Sequence, residues 1–381
     1  MKEGKLKDYC QVIAGQSPNG SAYNESGEGM EFHQGKKAFG EYVIQSSNVW
    51  TTEITKIAEK GDILMSVRAP VGPTNMTDRK ICIGRGLAAI RCSNKVLPHF
   101  VLYALKNIEC RIVGNDGAVF NSINKKMIED LPLPQCTIAE QERIVERLDA
   151  AFAQIDELKS NAERQLAEAR ALFQSALKEM LEPKDGWMEK TLKEVCSLIT
   201  DGTHHSPPND EKGKYKYITA KNIRIWGLDT SNITYVSEEI HKEIIARCNP
   251  KKGDVLYIKD GATTGIAIVN PLEEEFSMLS SVALIRPYKD VLSSEFLCYT
   301  LNSPSIYNQA RNQMDGAAIT RVTLVKIKGF VVSIPPIIEQ QRIVTRLDSL
   351  KSKVNCLEEN FTKISQECDA LKQALLRQIF E

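Results

Sequence analysis

"EQERIVERLD", residues 140–149, and "EQQRIVTRLD", residues 339–348, are two versions of one segment in this chain. Eight of the ten positions are identical, and the two copies start 199 residues apart. Apolar side chains recur three to four residues apart among charged ones, which is typical of an amphipathic helix. The chain therefore contains the start of the same helix twice.

The repeat extends beyond these helix starts. Asp116-Gly117-Ala118 corresponds to Asp315-Gly316-Ala317, and Gly61-Asp62-Ile63-Leu64 resembles Gly253-Asp254-Val255-Leu256. A repeat of this length is much larger than a solenoid unit. We therefore predict two copies of one module, each with a globular domain and a helical region. The predicted order is a first domain at 1–135, a helical region at 136–183, a second domain at 184–336 and a helical region at 337–381.

Each globular domain consists of short apolar runs between Gly, Pro, Asn and Asp residues. The runs "GDILMSV", "LAAIRC", "GDVLYIKD" and "SVALIRP" are typical of strands bounded by turns. "PHFVLYALKN" and "SSEFLCYTLN" are typical of helices, and "SSEF" resembles a capped helix start. These patterns predict an α+β domain with a mixed or antiparallel sheet.

Each helical region carries a heptad pattern, in which apolar residues alternate at steps of four and three. Neither helix has Gly or Pro between its start and its end. In the first copy, Pro183 marks the end of the helix. The two apolar seams are complementary in bulk, so we expect the helices to pair with each other. The predicted seam positions are Ile144, Leu148, Ile155, Leu158, Leu172, Ile343, Leu347, Leu350, Val354, Leu357, Phe361, Ile364, Leu371 and Leu375.

Chain connectivity sets the direction of this pair. A helix over residues 140–181 spans roughly 60 Å at 1.5 Å per residue. A domain of about 150 residues has a radius of gyration of only about 15 Å, so it cannot bridge the far ends of a parallel pair. The predicted fold is α+β, with two pseudo-two-fold-related α/β domains separated by an antiparallel two-helix coiled coil. Such a shape suits a bipartite DNA site, and a coiled-coil scaffold without a DNA role is an equal alternative on shape alone.

Composition indicates an ordinary water-soluble protein. Hydrophobic residues make up 42% of the chain and charged residues 26%, and the formal net charge is zero. No apolar run is long enough to span a membrane, and the N-terminus does not resemble a signal peptide. The ten cysteines include no CxxC pair, so we expect reduced thiols in a cytoplasmic protein.

A search for catalytic motifs finds no complete set. "DGATTG" at 260–265 lacks the lysine of a P-loop, and the chain has no Asn/Asp-Pro-Pro-aromatic clamp of an amino-methyltransferase. His204 and His205 are adjacent, so in a strand they point to opposite faces, and no cysteine or third histidine lies nearby. We expect no metal site and no catalysis by this chain. A self-sufficient DNA-modifying or DNA-cleaving enzyme remains the competing hypothesis.

Several longer motifs resemble one known family. "GQSPNGSAYN" at 15–24, "ITDGTHHSP" at 199–207, "LPLPQCTIAEQERIVERLDAAFAQIDEL" and "SIPPIIEQQRIVTRLDSL" resemble the specificity subunit of type I restriction-modification systems. The resemblance covers essentially the whole chain and implies two target-recognition domains, each reading one half of a bipartite double-stranded DNA site. It also implies helices that set the spacing and dock two DNA-adenine methyltransferase subunits, with motor-nuclease restriction subunits joining the complex. S-adenosylmethionine, ATP and Mg²⁺ are then expected on those partners, and no cofactor on this chain.

DNA contacts are expected from polar and basic loop residues. Arg, Asn and Gln read base edges, while Lys, Ser and Thr mainly position phosphates. Each candidate also has an ordinary structural alternative, such as capping a turn for Asn48 and Asn222. The candidates are Gln45, Ser46, Ser47, Asn48, Arg68, Arg85, Asn121, Lys125, Thr203, His204, His205, Lys221, Asn222, Arg224, Lys259, Thr263, Thr264 and Arg321.

The outer faces of the helices provide a second candidate interface. Ala150, Phe152, Ala153 and Phe173 are available for a partner protein, or alternatively widen the core of the helix pair. At the helix starts, Gln141, Arg143, Gln340 and Arg342 are candidates for residues that fix each domain to its helix.

Overall fold

The computed structural model describes residues 2–112, 122–312 and 321–381. It divides into two compact units, Met1–Ala162 with Thr362–Glu381, and Glu163–Phe361. Each unit holds one globular domain and part of both long helices. The boundaries at 135, 183 and 336, which keep each helix as a separate region, stay a prediction.

The described part of the first unit contains eleven strands, two short α-helices, the larger part of one long helix and the end of a second long helix. The strands are β1 (Lys2–Lys5), β2 (Cys10–Ala14), β3 (Tyr23–Asn24), β4 (Met30–His33), β5 (Trp50–Thr51), β6 (Ile57–Ala58), β7 (Ile63–Ser66), β8 (Thr74–Met76), β9 (Ile81–Ile83), β10 (Leu87–Cys92) and β11 (Pro132–Gln135). The helices are α1 (Pro98–Ile112), α2 (Lys125–Glu129) and α3 (Ile138–Met180).

A four-stranded antiparallel sheet, in the order β2-β10-β7-β8, forms the centre of the first unit. Its side chains alternate between two cores, so Ile63 and Met65 join the cluster that contains Phe100 of α1. Leu64 and Ala89 face the other way, into a second cluster. A five-stranded mixed sheet, β3-β5-β4-β9-β6, and a two-stranded pair, β1-β11, complete the unit. The prediction of a mixed or antiparallel sheet is confirmed.

The second unit repeats this topology. Its strands are β12 (Met188–Thr191), β13 (Cys196–Asp201), β14 (Tyr215–Ile218), β15 (Ile223–Arg224), β16 (Gly227–Leu228), β17 (Thr234–Val236), β18 (Val255–Ile258), β19 (Ala267–Val269), β20 (Ser277–Met278), β21 (Val282–Pro287) and β22 (Val331–Ile334). Its helices are α4 (Leu192–Val195), α5 (Glu238–Arg247), α6 (Ser294–Leu301), α7 (Pro304–Asn312), α8 (Leu324–Lys328) and α9 (Ile337–Phe380).

The strand order β13-β21-β18-β19 matches β2-β10-β7-β8, and the pair β12-β22 matches β1-β11. The smaller sheets differ, because the second unit has a three-stranded sheet, β17-β14-β20, and a hairpin, β15-β16. All four predicted strands and both predicted helices are present. Ser293 caps α6, and its side chain accepts a hydrogen bond from the Phe296 backbone amide at 3.1 Å.

The repeated segment fixes each long helix to its own domain. Gln141 is buried, and its Oε1 accepts a hydrogen bond from the Leu97 backbone amide at 2.8 Å. Gln340 is fully buried and accepts from the Ser293 backbone amide at 2.9 Å. Asp149 and Asp348 form a second pair of equivalent contacts, because they accept hydrogen bonds from the hydroxyls of Tyr103 and Tyr299. The segment occurs twice because the same helix-to-domain joint is built twice.

The two long helices pair in antiparallel directions within the first unit. Lys159 lies 3.3 Å from Asp369, and Lys372 contacts Asp156, so residue numbers rise on α3 as they fall on α9. In the second unit, Arg170 Nη2 lies 2.6 Å from Glu358 Oε1. The predicted pairing of the helices is confirmed.

The predicted seam is right near the start of α3 and wrong further along. Leu148 and Ile155 are buried, but Leu158 and Leu172 are 60% and 70% exposed. A strict heptad drifts by about 20° per repeat relative to a straight helix. Four heptads after Ile144 this drift is about 80°, close to the 100° between neighbouring residues, so Phe173 replaces Leu172 on the inner face. Phe173 indeed packs against the core of the second unit.

The same drift appears in α9. Ile343 and Leu347 are buried, but Leu371 is 49% exposed, which makes this seam position wrong as well. Lys372 is turned inward instead, with a side chain that is 15% exposed. The other predicted seam positions are partly buried: Ile144, Leu350, Val354, Leu357, Phe361, Ile364 and Leu375.

Candidate DNA interface

One end of each central sheet carries polar loops. β10 is antiparallel to β2 and β7, so the C-terminal ends of these two strands meet the N-terminal end of β10. The corresponding strands of the second unit are β13, β18 and β21. We call this the loop end of each sheet, defined by Gly15, Val67 and Gly86 in the first unit and by Gly202, Lys259 and Ser281 in the second.

A glycine holds the backbone segments together at each loop end. A Cβ atom at Gly15 would lie 2.2 Å from the Gly84 carbonyl oxygen, and one at Gly202 would lie 1.8 Å from that of Met278. Only a residue without a side chain fits such a close approach. The loops that follow β2 and β13 therefore start from a fixed position.

The loop end of the second unit contains a cluster of charged side chains. Asp201 is buried at the end of β13, and its Oδ1 lies 2.7 Å from Nη2 of Arg247 and 3.5 Å from Nε2 of His204. Arg247 also donates a hydrogen bond to His204 Nε2 at 2.8 Å. Lys259 Nζ lies 3.4 Å from the other oxygen of Asp201.

Asp260 extends this cluster. Its Oδ2 lies 3.0 Å from Lys259 Nζ, and its Oδ1 lies 3.3 Å from Nε of Arg321. The structure thus brings together three predicted residues, His204, Lys259 and Arg321, from separate parts of the sequence. Sequence reasoning missed Arg247, because it ends an ordinary amphipathic helix and no motif marks it.

Burial argues against a direct DNA contact for three of the predicted residues. The Lys259 side chain is 2% exposed between its two carboxylate partners. Asn222 is buried and accepts a hydrogen bond from the Thr219 backbone amide at 3.0 Å, so the capping alternative is the correct one. Thr264 is buried and donates to the Gly261 carbonyl at 2.7 Å. These three side chains support loops and do not face solvent.

The other predicted residues of the second unit reach the surface. Arg224 lies on the β15-β16 hairpin, and its Nε lies 3.7 Å from Asp229 Oδ2. Thr203 follows Gly202 directly and is half-buried. The exposed residues are His204, His205, Lys221, Thr263 and Arg321. Their role in DNA contact stays a prediction.

In the first unit, the residues 45–48 line one cleft of about 360 Å³. Gln45, Ser46 and Asn48 are exposed, and the buried His33 forms part of the wall. The cleft therefore presents amide and hydroxyl groups together, which are the groups that read base edges or hold phosphates.

A buried carboxylate supports this cleft. Glu31 accepts hydrogen bonds from Nε and Nη2 of Arg79 at 2.7 and 2.9 Å, and from the Ser47 backbone amide at 2.6 Å. Its Oε1 also lies 3.0 Å from Nε2 of His33. Burial alone would raise the pKa of Glu31, but these hydrogen bonds outweigh it and lower the pKa to about 2. Burial lowers the pKa of His33. Glu31 is therefore a charged anchor for the loop that contains Ser47.

The remaining candidates of the first unit are dispersed. Arg68 and Arg85 are exposed at the loop end, where Arg68 forms a β-bridge with Ser122. Lys125 starts α2 and lies 3.5 Å from Glu129, which indicates a surface ion pair. Asn121 lies outside the described residues, as do the repeated Asp-Gly-Ala segments.

The structure decides between the two interpretations of the helix faces at Phe152. Phe152 is only 3% exposed, and its ring packs edge-on against Tyr103 with centroids 5.4 Å apart. It therefore belongs to the core of the first unit and is not available to a partner. Phe173 is half-buried, whereas Ala150 and Ala153 are exposed. Arg143 and Arg342 are also exposed, whereas Gln141 and Gln340 are buried in the joint.

Within the part of the chain that the structure describes, no group of three or more His, Cys, Asp and Glu residues is placed to hold a metal ion. Among the same residues, no helix combines the length and the apolar composition that crossing a bilayer requires.

The family assignment agrees with this duplicated architecture. The model of the type I restriction modification DNA specificity domain matches residues 1–168 and again residues 184–365. The chain belongs to this family. The expectation drawn from the sequence motifs is thus confirmed, and each match covers one module.

Curated proteins similar to this chain are also named as type I restriction enzyme specificity subunits. The chain is 40% identical over 172 residues to a putative type I restriction enzyme MjaX specificity subunit of Methanocaldococcus jannaschii, covering 44% of this chain and 40% of that protein. It is 25% identical over 314 residues to the type I restriction enzyme EcoBI specificity subunit of Escherichia coli, covering 75% of this chain and 66% of that protein. The chain thus spans less than two thirds of the length of these relatives.

Solved structures share the fold. A chain from a study of complex assembly and conformational transition of the type I R-M system matches with a TM-score of 0.75 and 20% identity, covering 100% of this chain and 97% of that chain. The HsdS subunit from Thermoanaerobacter tengcongensis matches with a TM-score of 0.53 and 20% identity, covering 100% of this chain and 96% of that chain.

Proposed function

We propose that this chain is the DNA-reading component of a type I restriction-modification complex, and that each unit reads one half of a bipartite DNA site. The observation that carries the proposal is the duplicated match to the specificity domain, at residues 1–168 and 184–365. The two modules have the same central sheet, which positions their loops alike. The loops themselves differ, so the two half-sites are expected to differ in sequence.

The chemistry of the cleft in the first unit and of the loop end in the second supports this interpretation. The first unit presents neutral amides and hydroxyls at Gln45, Ser46 and Asn48, and the second presents His204 and Arg321. Amides and guanidinium groups distinguish bases through paired hydrogen bonds in the major groove, while hydroxyls and single cations hold phosphates. Two surfaces of different chemistry are what reading two different half-sites requires.

Catalysis belongs to other subunits in this proposal. Two DNA-adenine methyltransferase subunits dock on the helical regions and carry S-adenosylmethionine, and motor-nuclease subunits carry ATP and Mg²⁺. The long helices set the number of base pairs between the half-sites. DNA as the target places the chain in the cytoplasm.

The experiment is base-resolved mapping of adenine methylation in cells that express this chain with its methyltransferase subunit, with either alone as the control. The proposal predicts one bipartite motif that depends on both proteins. Methylation by the chain alone would favour a self-sufficient enzyme. An assembled complex that methylates no motif would favour the alternative of a coiled-coil scaffold without DNA recognition.

A loop variant makes the test specific to the first unit. The double change Gln45→Ala with Asn48→Ala removes two exposed amides from the cleft and leaves Glu31 in place. It should relax one half of the motif and leave the other half unchanged. The matched control is Asn94→Ala, because Asn94 is exposed beyond the opposite end of β10. Identical motifs for both variants would contradict the assignment of the cleft.

A further inference from the structure

Arg247 occupies a prominent position at the loop end of the second unit. It is the last residue of α5, and its side chain is 51% exposed. Nη2 is held by Asp201 at 2.7 Å and by His204 at 2.8 Å. Nε and Nη1 make no hydrogen bond to the part of the chain that the structure describes. Both hydrogens of Nη2 are therefore engaged by protein groups, while the N–H groups of Nε and Nη1 stay open.

Asp201, which holds Arg247, is itself buried and is paired with a second cation. The Asp201 side chain is 2% exposed, and its second oxygen faces Lys259, whose side chain is also 2% exposed. Because both groups are enclosed by protein, the carboxylate cannot turn towards water to release Arg247. Such a fixed support holds a long side chain in one orientation before its target arrives, which lowers the entropy lost on binding.

The fold does not require these charges. Asp201 pairs with Ala283 in the central sheet, as Ala14 pairs with Ala88 in the first unit, so alanine occupies the corresponding position. Lys259 accepts the backbone bond from Val322. The matching acceptor in the first unit is the carbonyl of Val67, which accepts a hydrogen bond from the Ile123 backbone amide.

One copy of the sheet thus folds with Ala and Val where the other buries an ion pair. A buried ion pair is weak evidence for stability, because removing two charges from water offsets their attraction. The helix that carries Arg247 is specific to the second unit as well. No α-helix lies between the corresponding strands β4 and β7 of the first unit, all of whose residues are described. The shared fold can form without these charges, and the helix that carries Arg247 is an insertion in the second unit. Both features therefore fit a role in recognising the half-site that only this unit reads.

We propose that Arg247 is a base-reading residue of the second unit, that its target is guanine, and that Asp201 is its positioning residue. Guanine presents two acceptors, N7 and O6, on its major-groove edge, and the planar fork of an arginine matches them. Nη1 and Nη2 form this fork when guanine replaces His204 as the partner of one Nη2 hydrogen, while the other Nη2 hydrogen stays on Asp201. Lysine has the charge without the fork. The inference rests on the proposed function, since it assumes that the second unit reads one half-site.

The test maps methylation by the complete complex with four versions of this chain: wild type, Arg247→Gln, Arg247→Lys and Asp201→Asn. The matched control is Lys242→Gln, which removes one positive charge from the exposed face of the same helix. Recovery of the assembled complex at wild-type levels establishes folding for each variant. The unchanged half of the motif serves as an internal reference.

Arg247→Gln and Arg247→Lys should each relax one G·C position in one half-site, with roughly tenfold or greater loss of discrimination at that position. Asp201→Asn should relax the same position to a smaller degree, and Lys242→Gln should leave the motif unchanged. Equal weakening at all positions would overturn the guanine assignment, and so would an unchanged motif in the Arg247→Gln variant. A wild-type complex with no motif would instead refute the proposed function itself.

Discussion

Replacing Gln340 by leucine should destabilise the second unit more than most single substitutions. Gln340 is fully buried at the start of α9, where its Oε1 accepts from the Ser293 backbone amide at 2.9 Å. Its Nε2 donates to the carbonyls of Val291 and Pro335, each at 2.9 Å. The side chain thus ties the long helix to the loop that begins α6.

The expected magnitude follows from these three hydrogen bonds. A hydrogen bond contributes a net stabilisation of about 1 kcal/mol, and a buried partner left unsatisfied costs about 1–3 kcal/mol. Leucine fills a similar volume, so the loss is dominated by one amide and two carbonyls without partners. We expect a decrease of about 3 kcal/mol or more in the free energy of unfolding. For a unit of roughly 200 residues this corresponds to about 6–12 °C in the melting temperature.

The assay is calorimetric unfolding of the full chain, because calorimetry resolves separate transitions when two units do not unfold together. The control is Gln341→Leu, since Gln341 is exposed at the adjacent position. Gln141→Leu provides an internal comparison in the first unit, where the bonds to two carbonyls are longer, at 3.1 and 3.4 Å. A Gln340→Leu loss of less than 1 kcal/mol relative to Gln341→Leu would refute the role assigned to the repeated glutamine.

Three further outcomes are expected from this structure. Leu347→Ala should lower the free energy of unfolding by about 2–5 kcal/mol because the side chain is fully buried, whereas Leu371→Ala should change it by less than about 1 kcal/mol. Equal effects of the two substitutions in chemical denaturation would show that Leu371 is a seam residue after all. Burial alone would raise the pKa of Glu31, but hydrogen bonds from Arg79, the Ser47 amide and His33 together lower it from an ordinary 4.5 to about 2. The stabilisation they provide is therefore present above about pH 4.5 and lost as pH falls towards 2, so Glu31→Gln should flatten the acid-unfolding curve in that window, and an unchanged curve would contradict the assignment. Lys372→Met should destabilise the first unit by about 1 kcal/mol because it removes the cation that pairs with the part-buried Asp156 and the exposed Glu41. A melting temperature equal to that of the wild type would show that these ion pairs contribute no stability.

Helix existence and direction were predictable, but the inner face of each helix was not. The heptad count predicts Leu158 and Leu172 as seam positions, and both are exposed. The count assumes that the helices supercoil enough to keep a 3.5-residue period. A helix that stays close to 3.6 residues per turn moves its inner face by one residue within about four heptads. Supercoiling depends on how two helices fit together, which a single helix sequence does not specify.

The candidate interface was predictable as a set of loops and not as a set of side chains. Turn residues and strand ends identified the neighbourhoods of Gln45 and His204. Burial then separated Lys259 from His204, although both are cationic or polar residues beside strand ends. The support of the first cleft, Glu31 with Arg79, joins residues 48 positions apart. Local pattern contains no information about such a pairing.

The duplication, the order of domain and helix in each copy, and the family all follow from local sequence, because repeated residues mark the joints that the fold must build twice. The equivalence of Gln141 and Gln340 is evident from the alignment of the two repeated segments alone. Tertiary contacts, by contrast, set which charges are buried and which are exposed, as with the buried Asp201 that holds Arg247. The physical reason is that burial and ion pairing depend on residues distant in the chain, whereas helix and strand periodicity depends on neighbours.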